Sequence, residues 1–453
     1  MPTPRSALSH ARTPAPGDPL RPGDPLRPGD PLRIAFLIYR GNPHCGGQGV
    51  YSRHLTRELT ELGHTVTMLA GPPWPVADSP VTLEHIESLD LYKRENPFRV
   101  PWPHEFRTWA DVEEFGIMAG AGFPEPYAFS RRVYTLLRDR RSEFDLVHDN
   151  QCLGTGLLGF VRDGWPFVNT LHHPITVDRD LDLAAATSPF RKLTLRRWYG
   201  FLGMQMKVAR QLPRHITVSQ NSKKDIVAQM RVDPDTLHIV HVGVDQKQFR
   251  PMPHVQRVPG RLMTTASADV PLKGLTYLIE ALAKIRTERE DAHLVVIGQP
   301  RHKSAVPAQI ARLGLQGAIE FVSGVSDERI VELYAEAEIA VVPSLYEGFS
   351  LPAIEAMACG VPLVTTTGGA LPEVVGTSGD GAMTVTPGDA GALAQMIIEV
   401  LNDDELRARL GERGRRRVLD RFTWRKTAEG TAEQYYLELE AHARRRHDSG
   451  FGA

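Results

Sequence analysis

The stretch at residues 344–369, SLYEGFSLPAIEAMACGVPLVTTTGG, decides the fold that the sequence predicts. It follows an apolar, mostly β-branched run at 339–342, which is typical of a buried parallel strand. A loop containing Gly348 comes next, and Pro352 marks the first turn of a helix, where a missing N–H costs nothing. Residues 361–364 form the next strand. The stretch therefore predicts a strand, a glycine loop, a helix and a second strand.

Two glutamates lie at the loop end of this unit, Glu347 in the loop and Glu355 on the first turn of the helix. A helix N-terminus offers unbonded N–H groups and a partial positive charge, so it favours phosphate. Carboxylates beside it are suited to accept hydrogen bonds from the hydroxyls of a ribose and a hexose, and a nucleoside diphosphate sugar carries both. Taken alone, Glu347 is better explained as a solvated loop residue, and Glu355 as a complement to the helix dipole.

With seven residues between them, the two glutamates form a Glu-x7-Glu motif, and residues 343–375 around it closely resemble the retaining glycosyltransferases of family 4. The resemblance implies an α/β chain with the GT-B fold: two Rossmann-like domains face a central cleft, and the C-terminal helix crosses back to the N-terminal domain. It implies that Glu355 binds the ribose of the donor and that Glu347 contacts the donor sugar. It also implies retained configuration, a nucleoside diphosphate sugar as co-substrate, and no metal or other cofactor.

The resemblance assigns roles to further residues. The catalytic residues that it implies are His172, Lys273 and Glu347, and the donor-binding residues are Gly46, Gly47, Gly324, Val325, Phe349, Ser350, Leu351 and Glu355. Ser350 stands where the family usually has glycine, and we expect it to be tolerated if its backbone angles are ordinary. An arginine usually precedes the lysine by five or six residues, but Ser267 and Ala268 stand there, so half of the usual phosphate clamp is missing from those positions.

Composition limits the other possibilities. A chain of 453 residues is too long for one ordinary core, and a formal net charge of -1 argues against a nucleic-acid partner bound by bulk charge. The three cysteines, Cys45, Cys152 and Cys359, show no metal-binding spacing, which suits a reducing cytoplasm. No apolar run approaches the roughly 18–20 residues that cross a bilayer, and we expect no secretory signal in the Pro-rich start. The sequence predicts a cytoplasmic protein.

Four segments are predicted along the chain. Residues 1–31 form a disordered tail, because three copies of a GDPLRP-like unit bring proline too often for helix or sheet. Residues 32–245 form an N-terminal, acceptor-side domain, and residues 246–430 form the domain that binds the nucleotide sugar. Residues 431–453 form the crossover helix and a tail.

The N-terminal domain opens with a βαβ unit, whose strands are predicted at 33–39 and 64–69. Its glycine loop contains Gly46, Gly47 and Gly49 and lacks the spacing of the dinucleotide fingerprint. The loop alone fits a tight turn and a close backbone approach to the donor equally well. In the resembled family, such a loop approaches the donor diphosphate.

Residues 72–130 are rich in proline and aromatic residues and are predicted to be irregular. Trp102, Phe106 and Trp109 in this segment either line an acceptor pocket or, more simply, pack a surface insertion. The basic and aromatic segment at 190–201 is predicted to be a solvated helix, with contact with anionic lipid as the alternative. That alternative would make the protein membrane-associated.

His172 and His173 follow the strand predicted at 166–171, at the carboxyl end where ligands bind in open α/β sheets. A histidine there can donate a hydrogen bond to a sugar hydroxyl, and no carboxylate or cysteine stands at a metal-binding spacing from the pair. The aspartates at 178–182 are predicted to form a charged loop rather than a metal site. In the second domain, Lys273 precedes a predicted helix and is placed to neutralise a diphosphate.

Two other classes of protein remain open at this point. A GT-B epimerase would use the same cleft without an acceptor, and a non-catalytic sugar-nucleotide binder would hold the donor without transferring its sugar. The donor base, the sugar and the acceptor, whether saccharide, lipid or small molecule, do not follow from these residues.

Overall fold

The computed structural model describes residues 29–41, 47–93, 96, 98–186, 188–265, 270–300 and 304–448. The predicted tail up to residue 28, the loop residue Gly46 and the pair Ser267 and Ala268 lie outside the described residues. Within them, each half of the chain builds one parallel sheet with helices on its faces.

The sheet of the first half has seven described strands. They are β1 (Arg33–Ile38), β2 (Thr65–Ala70), β3 (Thr82–His85), β4 (Leu146–Asn150), β5 (Phe167–Thr170), β6 (His215–Thr217) and β7 (Leu237–Ile239). Their order is β3-β2-β1-β4-β5-β6-β7, and all pairs are parallel. The order reverses beside β1, so the carboxyl ends of β1 and β4 open a crevice of the kind that binds ligands.

The sheet of the second half repeats this plan with six described strands. They are β8 (Arg261–Thr265), β9 (His293–Ile297), β10 (Ile319–Val322), β11 (Ile339–Val342), β12 (Leu363–Thr366) and β13 (Met383–Val385). Their order is β10-β9-β8-β11-β12-β13, again all parallel. The reversal lies beside β8, so β11 holds in this sheet the position that β4 holds in the first.

Sixteen α-helices cover the sheets in the described part. They are α1 (Gly47–Glu61), α2 (Trp109–Ala119), α3 (Glu125–Leu137), α4 (Leu157–Arg162), α5 (Thr176–Ala185), α6 (Pro189–Trp198), α7 (Phe201–Ala209), α8 (Gln220–Met230), α9 (Leu275–Ile285), α10 (Val306–Arg312), α11 (Asp327–Glu336), α12 (Leu351–Ala358), α13 (Leu371–Val375), α14 (Ala390–Asn402), α15 (Asp404–Arg421) and α16 (Trp424–Asp448). Helix α9 shows why they form, since Leu275, Leu278 and Leu282 recur at helical spacing and bury one face, which packs against α14.

The last helix, α16, crosses back from the second half of the chain and packs against α1 and β5 of the first. Its Tyr435 is fully buried, and the Tyr435 hydroxyl lies 2.5 Å from Nδ1 of His148 on β4. This crossing confirms the predicted C-terminal helix. It begins at Trp424, so the predicted boundary at 430/431 falls inside the helix.

Two local predictions were wrong. The segment 72–130 contains β3, α2 and the start of α3 rather than irregular chain. Helix α2 begins at a capping box, in which the Asp111 carboxylate accepts from the Thr108 backbone N–H at 2.7 Å. The aspartates at 178–182 lie in α5 and not in a loop.

Candidate functional site

A cleft of about 410 Å³ opens between the two sheets and is lined by both halves of the chain. The first half contributes Tyr51, His172, His173, Val177, Val218 and Val242 among others, and the second contributes Lys273 and the loop 346–352. The loop follows β11 and the histidines follow β5, so both groups stand at carboxyl ends of strands, as predicted from the sequence.

Glu347 and Lys273 meet inside this cleft. The Lys273 Nζ donates to both carboxylate oxygens of Glu347, at 2.8 and 2.9 Å, and the Ser344 hydroxyl donates to Oε1 at 2.7 Å. The Glu347 side chain is only 8% exposed, whereas that of Lys273 is 32% exposed. The carboxylate is thus fixed by two partners, and the ammonium keeps one N–H and a free surface for a ligand.

Two glycines allow the segments that carry this pair to approach closely. Gly274 has φ +67°, and a Cβ there would lie 2.0 Å from the carbonyl oxygen of Pro343. Gly369 has φ +64°, and a Cβ there would lie 2.2 Å from the carbonyl oxygen of Glu347. Any other residue at either position would push Lys273 or Glu347 out of place.

Ser350 precedes α12 and lines the cleft at the N-terminus of that helix. Its backbone has φ +104° and ψ 87°, a region that favours glycine, so the condition of ordinary angles is not met. A side chain held there costs on the order of 1–3 kcal/mol. Ser350 is 4% exposed, and its hydroxyl is buried without a hydrogen-bond partner among the described residues.

Glu355 lies one turn into α12 and is half-buried. The Tyr334 hydroxyl donates to its Oε2 at 3.2 Å and lies 3.0 Å from the Thr265 hydroxyl. Burial raises the pKa of Glu355 to about 7, against the smaller effect of the Tyr334 hydrogen bond. Glu355 does not line the cleft that holds Glu347, so the two glutamates of the motif occupy adjoining positions rather than one pocket.

His172 faces the pair from the first half of the chain. Its Nε2 donates to Oδ1 of Asn150 at 2.8 Å, its backbone N–H donates to Oε1 of Gln151 at 2.7 Å, and its ring stands edge-on to Tyr51 at 4.6 Å. Burial lowers the pKa of His172 to about 3, with a smaller effect from His173. The neutral ring therefore presents Nδ1 as a hydrogen-bond acceptor, whereas the sequence suggested a donor.

Asn150 and Gln151 were missed by the sequence analysis. Asn150 is the last residue of β4 and Gln151 directly follows it, and Gln151 also donates from Nε2 to the carbonyl oxygen of His173 at 2.9 Å. The signal that could have found them is their place at the carboxyl end of a buried strand beside the switch in strand order. That place is visible only once β4 and β5 are known to be neighbours.

The N-terminus of α8 in the first half docks onto the loop that carries Glu347. The hydroxyls of Ser219 and Ser222 donate to the carbonyl oxygen of Gly348 at 2.6 and 3.1 Å. The Tyr346 hydroxyl donates to the Asp225 carboxylate on α8. Because Gly348 and Tyr346 flank Glu347, these contacts tie the position of that carboxylate to the closure of the cleft.

The other predicted donor-binding residues lie in several places. Phe349 and Leu351 line the cleft, and Gly47 is the first residue of α1. Gly324 and Val325 stand in the loop between β10 and α11, outside the lining of the cleft. Gly46 is outside the described residues.

The aromatic residues proposed for an acceptor pocket or a membrane do not line the cleft. Trp102 and Trp109 are 69% and 84% exposed, and Phe106 packs against Phe115 with ring centroids 5.7 Å apart. On α6, Phe190 is exposed, whereas Trp198 packs on Phe123 with ring centroids 5.1 Å apart.

Membrane-spanning helices and metal-binding clusters are both absent from the described residues. No helix in that part of the chain has the length and apolar content needed to span a bilayer. No group of three or more histidine, cysteine, aspartate or glutamate side chains stands there in an arrangement that could hold a metal ion.

Known proteins share this architecture. Sucrose-phosphate synthase from Thermosynechococcus elongatus matches with a TM-score of 0.67 at 22% identity, over 90% of this chain and 100% of that chain. Anabaena HepE in complex with UDP-glucose matches with a TM-score of 0.63 at 18% identity, over 89% and 99% of the two chains. With its facing sheets and returning helix, the protein has the GT-B fold.

The sequence comparisons define the family. The model for Glycosyl transferases group 1 matches residues 254–417, and that for Glycosyltransferase Family 4 matches residues 45–248. The MMP alpha-(1->4)-mannosyltransferase of Mycolicibacterium hassiacum is 49% identical over 404 residues, which cover 89% of this chain and 97% of that protein. The chain belongs to glycosyltransferase family 4 and is a glycosyltransferase, which confirms the family and the enzyme class that the motif predicted.

Proposed function

We propose that the protein is a retaining glycosyltransferase that moves a mannosyl group from a nucleoside diphosphate sugar to a saccharide acceptor. One observation carries the proposal: Lys273, Glu347 and the N-terminus of α12 meet in one cleft, and His172 faces them from the other half of the chain. A cation and a helix N-terminus suit a diphosphate, and a fixed carboxylate and a neutral imidazole suit sugar hydroxyls.

Stabilisation of the leaving group is the largest catalytic effect in this scheme. Transfer breaks the bond between the anomeric carbon and a phosphate oxygen, so negative charge develops on the nucleoside diphosphate. Lys273 and the N–H groups at the start of α12 lie where they oppose that charge, in a cleft with mostly apolar walls such as Val218 and Val242. The contacts of α8 with the loop at Gly348 limit the entry of water into this cleft.

No covalent intermediate is needed for retained configuration. Both oxygens of Glu347 accept from Lys273, and Oε1 also accepts from Ser344, which makes this carboxylate a poor nucleophile. The acceptor oxygen instead bonds to the anomeric carbon on the face that the diphosphate leaves, and the acceptor's proton passes to the departing phosphate oxygen. Nδ1 of His172 accepts from a hydroxyl of the transferred sugar and so fixes its orientation.

The sugar and the acceptor class rest on the relatives. The Mycolicibacterium protein is named as an MMP alpha-(1->4)-mannosyltransferase, and its length is matched almost completely by this chain. The Anabaena structure holds UDP-glucose, which supports a nucleotide sugar as donor without fixing the base, given its low identity. The donor is used without a metal ion, and the reaction takes place in the cytoplasm.

A donor panel tests the proposal. UDP-, GDP-, ADP- and dTDP-sugars, with mannose where available, are added to the protein, and the melting temperature is measured. We expect one nucleotide series to raise it, since a ligand bound only to the folded state stabilises by mass action, by about 2.7 kcal/mol at 100 times its Kd. Mannose 1-phosphate, which lacks the nucleotide, is the matched control.

The product with an MMP acceptor should carry an α-linked mannose by NMR, and a β-linkage or the lack of any stabilising nucleotide would overturn the proposal.

A further inference from the structure

Two tryptophans are exposed at the carboxyl edge of the first sheet, outside the lining of the cleft. Trp109 is 84% exposed and is the first residue of α2, and Trp74 is 37% exposed in the loop after β2. A group of large apolar side chains exposed to water on ordered backbone commonly marks a binding surface. Neither ring has a role in the transfer step described above.

Both rings are held in place by their surroundings. The Trp74 ring stacks on the His85 ring, with centroids 4.2 Å apart and 19° between the planes, so its orientation is fixed. Trp109 directly follows Thr108, the capping residue of α2, whose backbone N–H donates to the Asp111 carboxylate at 2.7 Å. Rings that are already ordered lose little conformational entropy when a ligand binds.

An ion pair connects the two rings in one surface. Glu87 lies two residues beyond His85, the last residue of β3, and Arg107 lies two residues before Trp109. The Arg107 guanidinium lies 3.3 Å from the Glu87 carboxylate, and the two side chains are 74% and 82% exposed. The surface formed by these four residues and Trp74 is called the tryptophan strip below. It combines aromatic rings with exposed hydrogen-bonding groups.

The tryptophan strip continues the cleft along the same edge of the sheet. The cleft is lined as far as Gln48 and Tyr51 on α1, the helix that follows β1. The strand order runs on from β1 through β2 to β3, and the Gly41 N–H after β1 donates to the Pro73 carbonyl oxygen after β2 at 3.1 Å. Neighbouring strands lie ~4.8 Å apart, so β3 lies about 10 Å beyond β1. A few linked sugars span that distance.

The chemistry of the tryptophan strip fits a saccharide. The C–H groups of a hexose form an apolar face that packs on an indole ring, whose own face carries partial negative charge. Carboxylate and guanidinium groups accept from and donate to the surrounding hydroxyls. The pair of Glu87 and Arg107 carries no net charge, so it offers no excess of positive charge to an anionic membrane.

We infer that the tryptophan strip binds the acceptor saccharide several sugar units away from the hydroxyl that receives the mannosyl group. The acceptor would enter the cleft with one end and lie with the rest across the ends of β1, β2 and β3. The inference rests on the proposed function, since it needs a saccharide acceptor in the cleft. It adds that this acceptor is a chain rather than a single sugar or a disaccharide.

A short and a long acceptor test the inference. The probes are the α-(1->4)-linked disaccharide and octasaccharide of mannose, and KM and kcat are measured for each with the nucleoside diphosphate mannose that the wild type uses. Only the octasaccharide is long enough to reach the tryptophan strip. We expect Trp74→Ala and Trp109→Ala each to raise the KM for the octasaccharide by about five- to tenfold, because one ring contact is lost. The KM for the disaccharide, and kcat with both acceptors, should stay unchanged.

Phe190→Ala is the matched control, since it removes a ring that is 79% exposed on α6, and it should change neither KM. Because the tryptophans are exposed, both variants should melt within about 2 °C of the wild type. A wild type with equal KM for the two acceptors, or variants that leave the octasaccharide KM unchanged or change both KM values equally, would overturn the inference and leave the proposed function standing.

Vesicles of phosphatidylcholine and phosphatidylserine test a membrane as the occupant instead. Vesicle binding that both tryptophan variants lose, with no change in the octasaccharide KM, would overturn the inference and assign the tryptophan strip to lipid. A wild type that transfers mannose to neither acceptor would overturn the saccharide acceptor and the inference together.

Discussion

The loops that follow β4 and β11 occupy the same position in their two sheets, and they use it in opposite ways. At the end of β4, the Asp149 carboxylate accepts from the backbone N–H groups of Cys152 and Leu153 in the following loop, at 3.0 and 3.1 Å. Asn169 on β5 donates to the same carboxylate at 2.7 Å. The Oδ2 atom of Asp149 is thus bonded inside the protein, whereas its Oδ1 and the Nδ2 of Asn150 are buried without a partner among the described residues. Burial raises the pKa of Asp149 to about 7 despite these bonds.

After β11, polar groups line the cleft itself. Glu347 is held by its partners at the wall of the cleft, and α12 begins at the cleft with Leu351, so that the positive end of its dipole lies there. Asn150 at the end of β4 and Gln151 directly after it hold His172 by hydrogen bonds from the neighbouring strand. In the proposed function, the loop after β11 is itself the binding surface for the donor. A fold with two similar halves can thus divide support and binding between equivalent loops.

The largest effect on transfer is expected from substitutions in the second half of the chain, at Lys273 and Glu355. Lys273→Ala removes the ammonium that opposes the leaving charge, and transfer should fall by about 10²–10³-fold. Glu355→Ala should also lower transfer by orders of magnitude, because the proposed ribose contact is lost. The fold should persist in both, which circular dichroism and thermal melting would check.

A matched control exists for the lysine. Lys284 stands exposed on α9, the helix that follows Lys273, and Lys284→Ala should transfer normally. Near-normal turnover in both Lys273→Ala and Glu355→Ala would count against the assignment of the second half of the chain to the donor.

A smaller effect on transfer is expected from a substitution in the first half of the chain, at Asn150. Asn150→Ala removes the acceptor of the Nε2–H of His172, so the ring loses its fixed orientation against the sugar. Transfer should fall by one to two orders of magnitude, since misplacement of a reacting group by about 1 Å costs on the order of 100-fold. Nucleoside diphosphate affinity, measured by calorimetry, should stay unchanged.

The expected difference between transfer, which falls, and nucleotide affinity, which does not, tests the role of Asn150 in orienting His172. The control is Asn402→Ala, which alters an exposed asparagine at the end of α14. If Asn150→Ala weakens nucleotide binding as much as it slows transfer, the loop after β4 acts through the fold and not through His172.

The same contrast explains what the sequence could and could not reveal. The strand, loop and helix around Glu347 were predicted closely because their chemistry lies within one contiguous segment, 339–364. The Lys273 pairing with Glu347, the Tyr334 contact of Glu355 and the partners of His172 join residues about 20 to 75 positions apart. Such contacts depend on strand order, which no local pattern contains.

Local signals were also misread in the first half. Proline and aromatic residues made 72–130 look irregular, although Thr108 and Asp111 are a helix start that can be read directly. In the second half, the signal for the positive φ of Ser350 was the glycine that the resembled family usually has there, since serine itself does not favour that region.

The smallest expected effect is the pH dependence that Glu355 gives to nucleotide binding. The pKa shifts of Glu355 in the second half and of His172 in the first half have opposite signs. Burial raises the pKa of this carboxyl to about 7, so it is ionised above pH 7 and protonated below. In the proposed ribose contact, only the ionised form accepts hydrogen bonds from both hydroxyls, and nucleotide affinity should therefore fall by up to about tenfold between pH 8 and pH 6. Binding at pH 6 should release a proton, which calorimetry in buffers of different ionisation enthalpy detects. In Glu355→Gln this dependence should vanish.

His172, in the first half of the chain, provides a control whose pKa shift has the opposite sign. Its folded pKa of about 3 lies below the unfolded value of 6.5, so the unfolded state binds more protons between these pH values. Stability should consequently fall as the pH drops below about 6.5, while the neutral ring at the cleft, and with it the contact to sugar, stays unchanged from pH 8 to pH 6. A pH dependence of nucleotide affinity that survives in Glu355→Gln would move the titrating group to another residue of the cleft and would separate Glu355 from the ribose.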